Sequence, residues 1–248
     1  MPHKVEIVCH KGANKHAPEN TWAAARLCVE WGMDYVEVDV NVSKDGVLYI
    51  LHGPTLDKTT NGSGYIGDLT SEEIDRLDAG SWFSPRFAGE RVPRLEPFLR
   101  WIKGKAKVFL DVKWVHPQPI IDLIYALGME RDCFLWCEID EWMLEFRRLD
   151  RQLALKYNVK SVDDVVAAAD RFQANIVEVT PEHISHELVA ASHARGLRVM
   201  LNTIDHEPAA FPYVLEYGVD MVNTDNGDLL RRFLEGAQRP APSALANP

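Results

Sequence analysis

Strand-like and helix-like segments alternate along almost the whole chain, and this rhythm limits the fold more than any other property of the sequence. Apolar, strand-like runs fall at 5–9, 35–40, 47–52, 107–113, 133–138, 152–157, 175–180, 197–203 and 219–223. Amphipathic, helix-like stretches lie among them at 20–32, 71–78, 95–104, 117–128, 140–149, 161–171, 185–195 and 207–217. Such alternation predicts an α/β protein, a parallel sheet wrapped by helices. At 248 residues the chain has the length of one (β/α)8 barrel or of two small domains. The interior shows no linker or internal repeat, so residues 1–236 read as a single domain. The Pro-containing stretch 237–248 reads as a disordered tail. Nine strand candidates compete for eight barrel places, and 152–157, interrupted by Lys156, is the weakest.

The rhythm breaks twice. Between Asp39 and Val47 there is room only for an extended crossover with a Lys44-Asp45-Gly46 turn, because a helical crossover needs about a dozen residues. Between Gly53 and Lys105 the chain is longer than one βα unit requires and starts with the turn-rich run Thr59-Thr60-Asn61-Gly62-Ser63-Gly64. This segment reads as a small insertion over the barrel mouth, where functional loops belong.

Composition excludes several classes of partner. The formal net charge of −10 disfavours nucleic acid and anionic membrane surfaces. The N-terminus enters an apolar strand almost at once, without a charged-then-apolar leader. No run is long enough to span a bilayer, so a cytoplasmic location without membrane insertion is expected. Cys9, Cys28, Cys133 and Cys137 sit inside apolar segments without CxxC spacing and read as reduced core residues.

The chemistry concentrates at strand ends. In Val36-Glu37-Val38-Asp39-Val40 the two carboxylates share one face and the valines the other. A solvated edge strand would give the same pattern. Buried, unpaired carboxylates instead cost several kcal/mol unless they neutralise, pair or bind a cation. The first strand ends in His10, followed by Lys11-Gly12, and the third in His52-Gly53. The fourth places Asp111 and Lys113 on one face. Taken singly, each has a structural explanation: a strand-end histidine, an Asp111–Lys113 ion pair. Together they converge on the face where barrel enzymes do their chemistry. Three carboxylates without cysteine favour a hard cation, Mg²⁺ or Ca²⁺, over zinc. Two histidines can divide proton transfer, and Lys11 and Lys113 can hold a phosphate as point charges. The combination points to metal-assisted cleavage at phosphorus.

At these residues the chain resembles the glycerophosphodiester phosphodiesterase family. The matching runs are His10-Lys11-Gly12, Ala17-Pro18-Glu19-Asn20-Thr21, Gly32 to Val40, Ser43-Lys44-Asp45-Gly46 and His52. They continue through Leu56 to Gly62, Leu77 to Phe83, Val92-Pro93-Arg94-Leu95, Asp111-Val112-Lys113, Gly218-Val219-Asp220 and Thr224-Asp225. The resemblance implies a TIM-like barrel that uses a divalent cation to split glycerophosphodiesters into glycerol 3-phosphate and an alcohol. It implies His10 and His52 as catalytic residues, Glu37, Asp39 and Asp111 as metal ligands, and Lys11 and Lys113 as phosphate contacts. Glu19 is implied as a supporting residue behind them, and the neighbouring Asn20-Thr21 pair also reads as a helix N-cap.

Four positions depart from the family pattern: Lys11 for its arginine, Gly53 for an aspartate after the second histidine, Asp111 for a glutamate, and Asn202-Thr203 for a tryptophan-threonine pair. The Asp-x-Lys at 111–113 is similar to the related sphingomyelinase D barrels. Three alternatives therefore stand beside a small-molecule glycerophosphodiesterase. They are a phosphodiesterase for another head group such as a sugar phosphodiester, a sphingomyelinase-D-like cyclising enzyme, and a non-catalytic phosphoester-binding barrel. A metallo-amidohydrolase is disfavoured, since Cys9-His10-Lys11 lacks its His-x-His pair.

Overall fold

Side-chain alternation along parallel strands builds the interior of this protein in layers. The computed structural model describes residues 4–237. Nine strands run in order as β1 (Glu6–Cys9), β2 (Tyr35–Val42), β3 (Leu48–Ile50), β4 (Lys107–Val112), β5 (Cys133–Cys137), β6 (Ala154–Asn158), β7 (Ile176–Val179), β8 (Arg198–Asn202) and β9 (Met221–Thr224). All except β3 pair in parallel, in the order β1-β9-β8-β7-β6-β5-β4-β2, and β1 pairs with β2 to close the barrel. This is the expected (β/α)8 barrel.

Its strand membership corrects two expectations. The strand outside the barrel is β3, not the Lys156 segment. The link from Asp39 to Val47 is a hairpin, not a crossover: β3 runs antiparallel to β2 with Val40 opposite Ile50, and Gly46 N–H bonds the Ser43 carbonyl at 3.0 Å in its turn. Strand β6 is a full barrel member, paired with β5 and β7. Lys156 interrupts an apolar run because its side chain points into the lumen.

The lumen is layered. At the N-terminal end Glu6 pairs with Lys107 (3.3 Å) and Arg198 (2.5 Å). Above it Val8, Tyr35, Phe109, Phe134, Ile176, Met200 and Met221 form an apolar plug, with Phe109 and Phe134 stacked at 4.4 Å. Two residues further along these same strands stand His10, Glu37, Asp111, Trp136, Glu178, Asn202 and Asn223. The period of two thus turns an apolar plug into a polar layer within one step.

In this layer the buried Lys156 donates to Glu178 and, at 2.8 Å, to Asn158, with its ammonium 4.0 Å from the Trp136 ring. Asn202 and Asn223 donate to the other Glu178 oxygen at 3.1 and 3.0 Å. Removing one partner of a buried pair strands the other's charge. Lys156→Met should therefore lower unfolding free energy by about 3–5 kcal/mol in a denaturant titration, and adding Glu178→Leu should recover most of it.

Outward-facing residues such as Val36, Val38, Val40, Leu110 and Leu135 form the main core with the helices. These are α1 (Trp22–Glu30), α2 (Ser71–Ile74), α3 (Leu95–Ile102), α4 (Pro117–Leu127), α5 (Asp140–Leu149), α6 (Val162–Asp170), α7 (His186–Ala194), α8 (Phe211–Tyr217) and α9 (Gly227–Ala237). The last was not anticipated from the sequence; it buries Gly227, Leu230 and Leu234. It carries the chain to Ala237, and residues 238–248 of the expected tail lie outside the described residues. Between β3 and α3 the chain makes the anticipated excursion, packed on its own small core of Tyr49, Leu51, Leu56, Ile66, Ile74, Ala79 and Val92. All four cysteines are buried and free. Among the described residues, no helix is long and apolar enough to cross a membrane.

Candidate active site

The C-terminal ends of β1, β2, β4 and β9 meet the returning β3 at one mouth. After β1 the backbone enters the left-handed region twice, at Lys11 (φ 54°) and Gly12 (φ 78°). For lysine this costs about 1–2 kcal/mol. Gly12 is required by space as well, because a Cβ there would lie 2.8 Å from the Ala24 Cβ. The turn directs the Lys11 N–H onto the Glu37 carboxylate and sets its ammonium 3.6 Å from Glu19 Oε1.

Strand β2 presents Glu37 and Asp39 into the lumen, each about 1% exposed. Asp39 lies level with Asp111 of β4 in the parallel register. Ligand oxygens of Glu37, Asp39 and Asp111 all lie within 4.8 Å of one another. Lys113 bridges two of them, with its ammonium 2.8 Å from Asp39 Oδ1 and 2.6 Å from Asp111 Oδ2.

The Pro18-Glu19-Asn20-Thr21 run divides its work. Glu19 faces Lys11, and Thr21 caps α1 by accepting the Ala24 N–H at 3.3 Å. Asn20 holds Asp39 from both sides: its Nδ2 donates to Oδ2 at 2.7 Å, and its Oδ1 accepts the Asp39 N–H at 3.1 Å. Asn20 is thus a site residue as well as the neighbour of a cap.

These contacts separate the acids. Burial, with the Asp39 and Asp111 charges, pushes Glu37 well above the usual carboxylate range. Burial also pushes Asp111 up to about 6, against the opposing pull of Lys113. For Asp39 burial acts in the same direction, but Lys113, His52 and Asn20 outweigh it and hold the carboxyl low. The two carboxylates in turn raise Lys113 above an ordinary lysine despite its burial.

His52 reaches the mouth by a different route from the one the strand pattern suggested. It does not end a barrel strand; antiparallel β3 carries it back until Leu51 N–H bonds the Asp39 carbonyl at 3.0 Å. Asn41 Nδ2 donates to the carbonyls of Leu51 (2.7 Å) and Gly53 (3.2 Å), clamping the backbone on both sides of the histidine. Burial first, then the Lys11 and Lys113 charges, lower the His52 pKa, opposed by Asp39 and Glu19.

His10 belongs to the β9 side of the mouth. Its Nδ1 lies 2.8 Å from Asp225 Oδ1, and Asn14 Nδ2 and Lys15 Nζ reach the same carboxylate at 2.5 and 2.7 Å. Burial would raise Asp225, but these hydrogen bonds outweigh it and keep the carboxyl far below its usual range. A carboxylate accepts only, so Nδ1 donates its proton in this hydrogen bond. Glu207 accepts from the Thr203 hydroxyl at 2.7 Å and from the Asp225 N–H at 3.1 Å, and also from Thr224, so it holds the end of β9 in place.

In the sequence Asp225 stands out only as part of a matching run. The alternation that singled out Asp39 also reaches it, through Met221, Asn223 and Asp225. Asn20 stands in a matching run, but neither it nor Asn14 or Glu207 shows its contact in the sequence, since their roles depend on loops meeting strand ends.

The donor set fits a divalent cation. Asp111 Oδ1 is buried and has no hydrogen-bond partner among the described residues. Three carboxylates facing one ammonium, when ionised, carry a net charge of two minus, and an oxygen-only set suits Mg²⁺ or Ca²⁺.

Comparison with known proteins finds relatives across the whole barrel. The glycerophosphoryl diester phosphodiesterase family model matches residues 10–229. A glycerophosphodiester phosphodiesterase of Caldanaerobacter subterraneus subsp. tengcongensis is 30% identical over 253 residues, spanning 92% of this chain and 96% of that protein. The crystal structure of glycerophosphodiester phosphodiesterase from Agrobacterium tumefaciens str. C58 superposes with a TM-score of 0.87 at 36% identity, covering 92% of this chain and 100% of that one. An Oleispira antarctica phosphodiesterase in complex with sn-glycerol-3-phosphate shares the fold at a TM-score of 0.79 and 24% identity, over 93% of this chain and 96% of that one. With this family model covering the barrel from His10 onward, and full-length relatives on either side of 30% identity, the chain belongs to the glycerophosphoryl diester phosphodiesterase family.

Proposed function

We propose that this protein hydrolyses glycerophosphodiesters to glycerol 3-phosphate and an alcohol with the help of Mg²⁺ or Ca²⁺. The observation that carries the reading is the carboxylate cluster of Glu37, Asp39 and Asp111 at the barrel mouth, with a lysine at its edge. In this reading those three residues hold the cation. When bound, it supplies Lewis-acid polarisation of a phosphoryl oxygen. Lys11 and Lys113 add positive charge around the phosphate. Nε2 of His10, oriented by Asp225, takes the proton from the glycerol hydroxyl beside the phosphate, and that oxygen attacks phosphorus. His52 gives a proton to the departing alkoxide. Water then opens the cyclic phosphate, with the two histidines exchanging roles. The four reduced cysteines support a cytoplasmic setting, which forms part of the proposal.

The test is a panel of phosphodiesters incubated with Mg²⁺, Ca²⁺ or Mn²⁺, with products followed by phosphorus NMR. Glycerol 3-phosphate is the expected product. A cyclic phosphate as final product would move the enzyme to the sphingomyelinase-D-like chemistry. Binding without turnover would make it a phosphoester-binding barrel.

The role of Asp225 has its own test. Asp225→Asn keeps the size of the side chain but allows it to donate toward His10, which no longer fixes the proton on Nδ1. The variant is expected to lose ~10²-fold or more in kcat, with KM little changed. An unchanged kcat would remove Asp225 from the orientation of His10.

A further inference from the structure

An apolar groove of about 520 Å³ opens beside the catalytic mouth, lined by Asn41, Val42, Pro54, Tyr65, Ile66 and Trp114. Its walls are sequence neighbours of the reacting groups. Trp114 follows Lys113, Asn41 lies two residues beyond Asp39, and Pro54 lies two beyond His52. The volume falls within the range of small-molecule sites.

The walls are held in place. Thr55 bridges to Tyr65, the Ile66 N–H bonds the Pro54 carbonyl at 2.8 Å, and Trp114 packs edge-on against Trp142 at 6.4 Å. The two aromatics nevertheless remain well exposed, Trp114 at 63% and Tyr65 at 59%. Among the described residues no charged side chain lines the groove, and the Asn41 amide nitrogen is already committed to two backbone carbonyls.

We propose that this groove binds an alkyl or aryl substituent on the alcohol half of the phosphodiester, making Trp114 and Tyr65 determinants of specificity. The inference rests on the phosphodiesterase reading above. A phosphodiester bound at the mouth carries two ester substituents. The glycerol half brings hydroxyls that would lose their hydrogen bonds against apolar walls. The opposite wall of the lumen, from Lys156 to Asn223, is polar and already hydrogen-bonded. The groove therefore suits the other substituent, and favours one with carbon to bury.

The test compares the n-hexyl ester of glycerol 3-phosphate with glycerophosphoethanolamine. Equilibrium binding is measured by calorimetry in chelator, and kcat/KM in the presence of divalent cation. Wild type is expected to bind and cleave the hexyl ester at least ~10-fold better. Trp114→Ala removes one wall. Gly67 also lines the groove, and Gly67→Leu fills the space, since a Cβ there meets only the Val42 carbonyl oxygen, at 3.9 Å. Both variants should abolish the preference while leaving the ethanolamine ester within about twofold of wild type.

Equal binding of the two esters by wild type, or equal losses on both in the variants, overturns the groove assignment. So does a Trp114-dependent association with neutral phosphatidylcholine vesicles without any hexyl preference. If neither ester is cleaved with any cation, but a hexyl preference in binding disappears in Trp114→Ala, the activity reading fails and the groove assignment stands.

Discussion

Alanine at His10 or at His52 is expected to lower kcat by ~10²–10⁴-fold each, because each substitution removes one proton-transfer group. The fold should survive both changes. His52 is only half-buried and His10 lies at a strand end, so neither anchors the core. Circular dichroism and the denaturant midpoint would establish that. The double variant should be little worse than the poorer single variant, since residues that act in one sequence of proton transfers do not contribute additively. A substrate whose leaving group needs no protonation, such as a nitrophenyl ester, separates the two roles. His52→Ala should be partly rescued with it, and His10→Ala should not. Rescue of His10→Ala instead would reverse the assignment drawn from the Asp225 contact. Near-normal turnover in either variant would remove that histidine from the mechanism.

Removing divalent cations is expected to abolish turnover, with recovery on adding Mg²⁺ or Ca²⁺. Asp39→Asn or Asp111→Asn should show no such recovery at moderate cation concentration. A second readout needs no substrate. Glu37 and Asp111 have raised pKa values in the ion-free fold, Asp111 at about 6. A carboxyl that binds its proton more tightly folded than unfolded loses stability as pH rises from its unfolded value through its folded one. The ion-free protein should therefore lose stability as pH rises from about 4 through about 6, where Asp111 is forced to ionise, and further where Glu37 follows. A bound cation favours the ionised form, so its stabilising effect should grow over the same interval. Melting curves with and without Ca²⁺ or Mg²⁺ from pH 4.5 to 7.5 measure the difference. A cation effect independent of pH, or one that persists in Asp111→Asn, would take Asp111 out of the ligand set.

The barrel and much of its mouth were legible in the sequence because both follow from local periodicity. Val36, Val38 and Val40 face the helices while Glu37 and Asp39 face the lumen, and the two-residue repeat alone separates them. The same repeat placed Asp111 and Lys113 on one face. It misjudged Lys156, since a charged residue in an apolar run looks like a break in the strand. Only the fold supplies Glu178 and Trp136, from the two neighbouring strands, alongside Asn158 of its own strand.

Other features depended on contacts between segments far apart in the chain. That β3 is a hairpin return rather than a barrel strand depends on its pairing with β2, and spacing alone did not distinguish the two, although His52 arrives at the mouth either way. Asp225 meets His10 across 215 positions, Asn20 meets Asp39 across 19, and Glu207 reaches the end of β9 across 18. The order of apolar and polar residues thus determined the fold class, the face of the barrel that carries the polar mouth and most of the residues proposed to act there. Tertiary structure alone decided which groups share a charge, which carboxylate pairs with His10, and where an apolar groove opens beside them. Those properties arise from distances and burial, which a linear pattern does not contain.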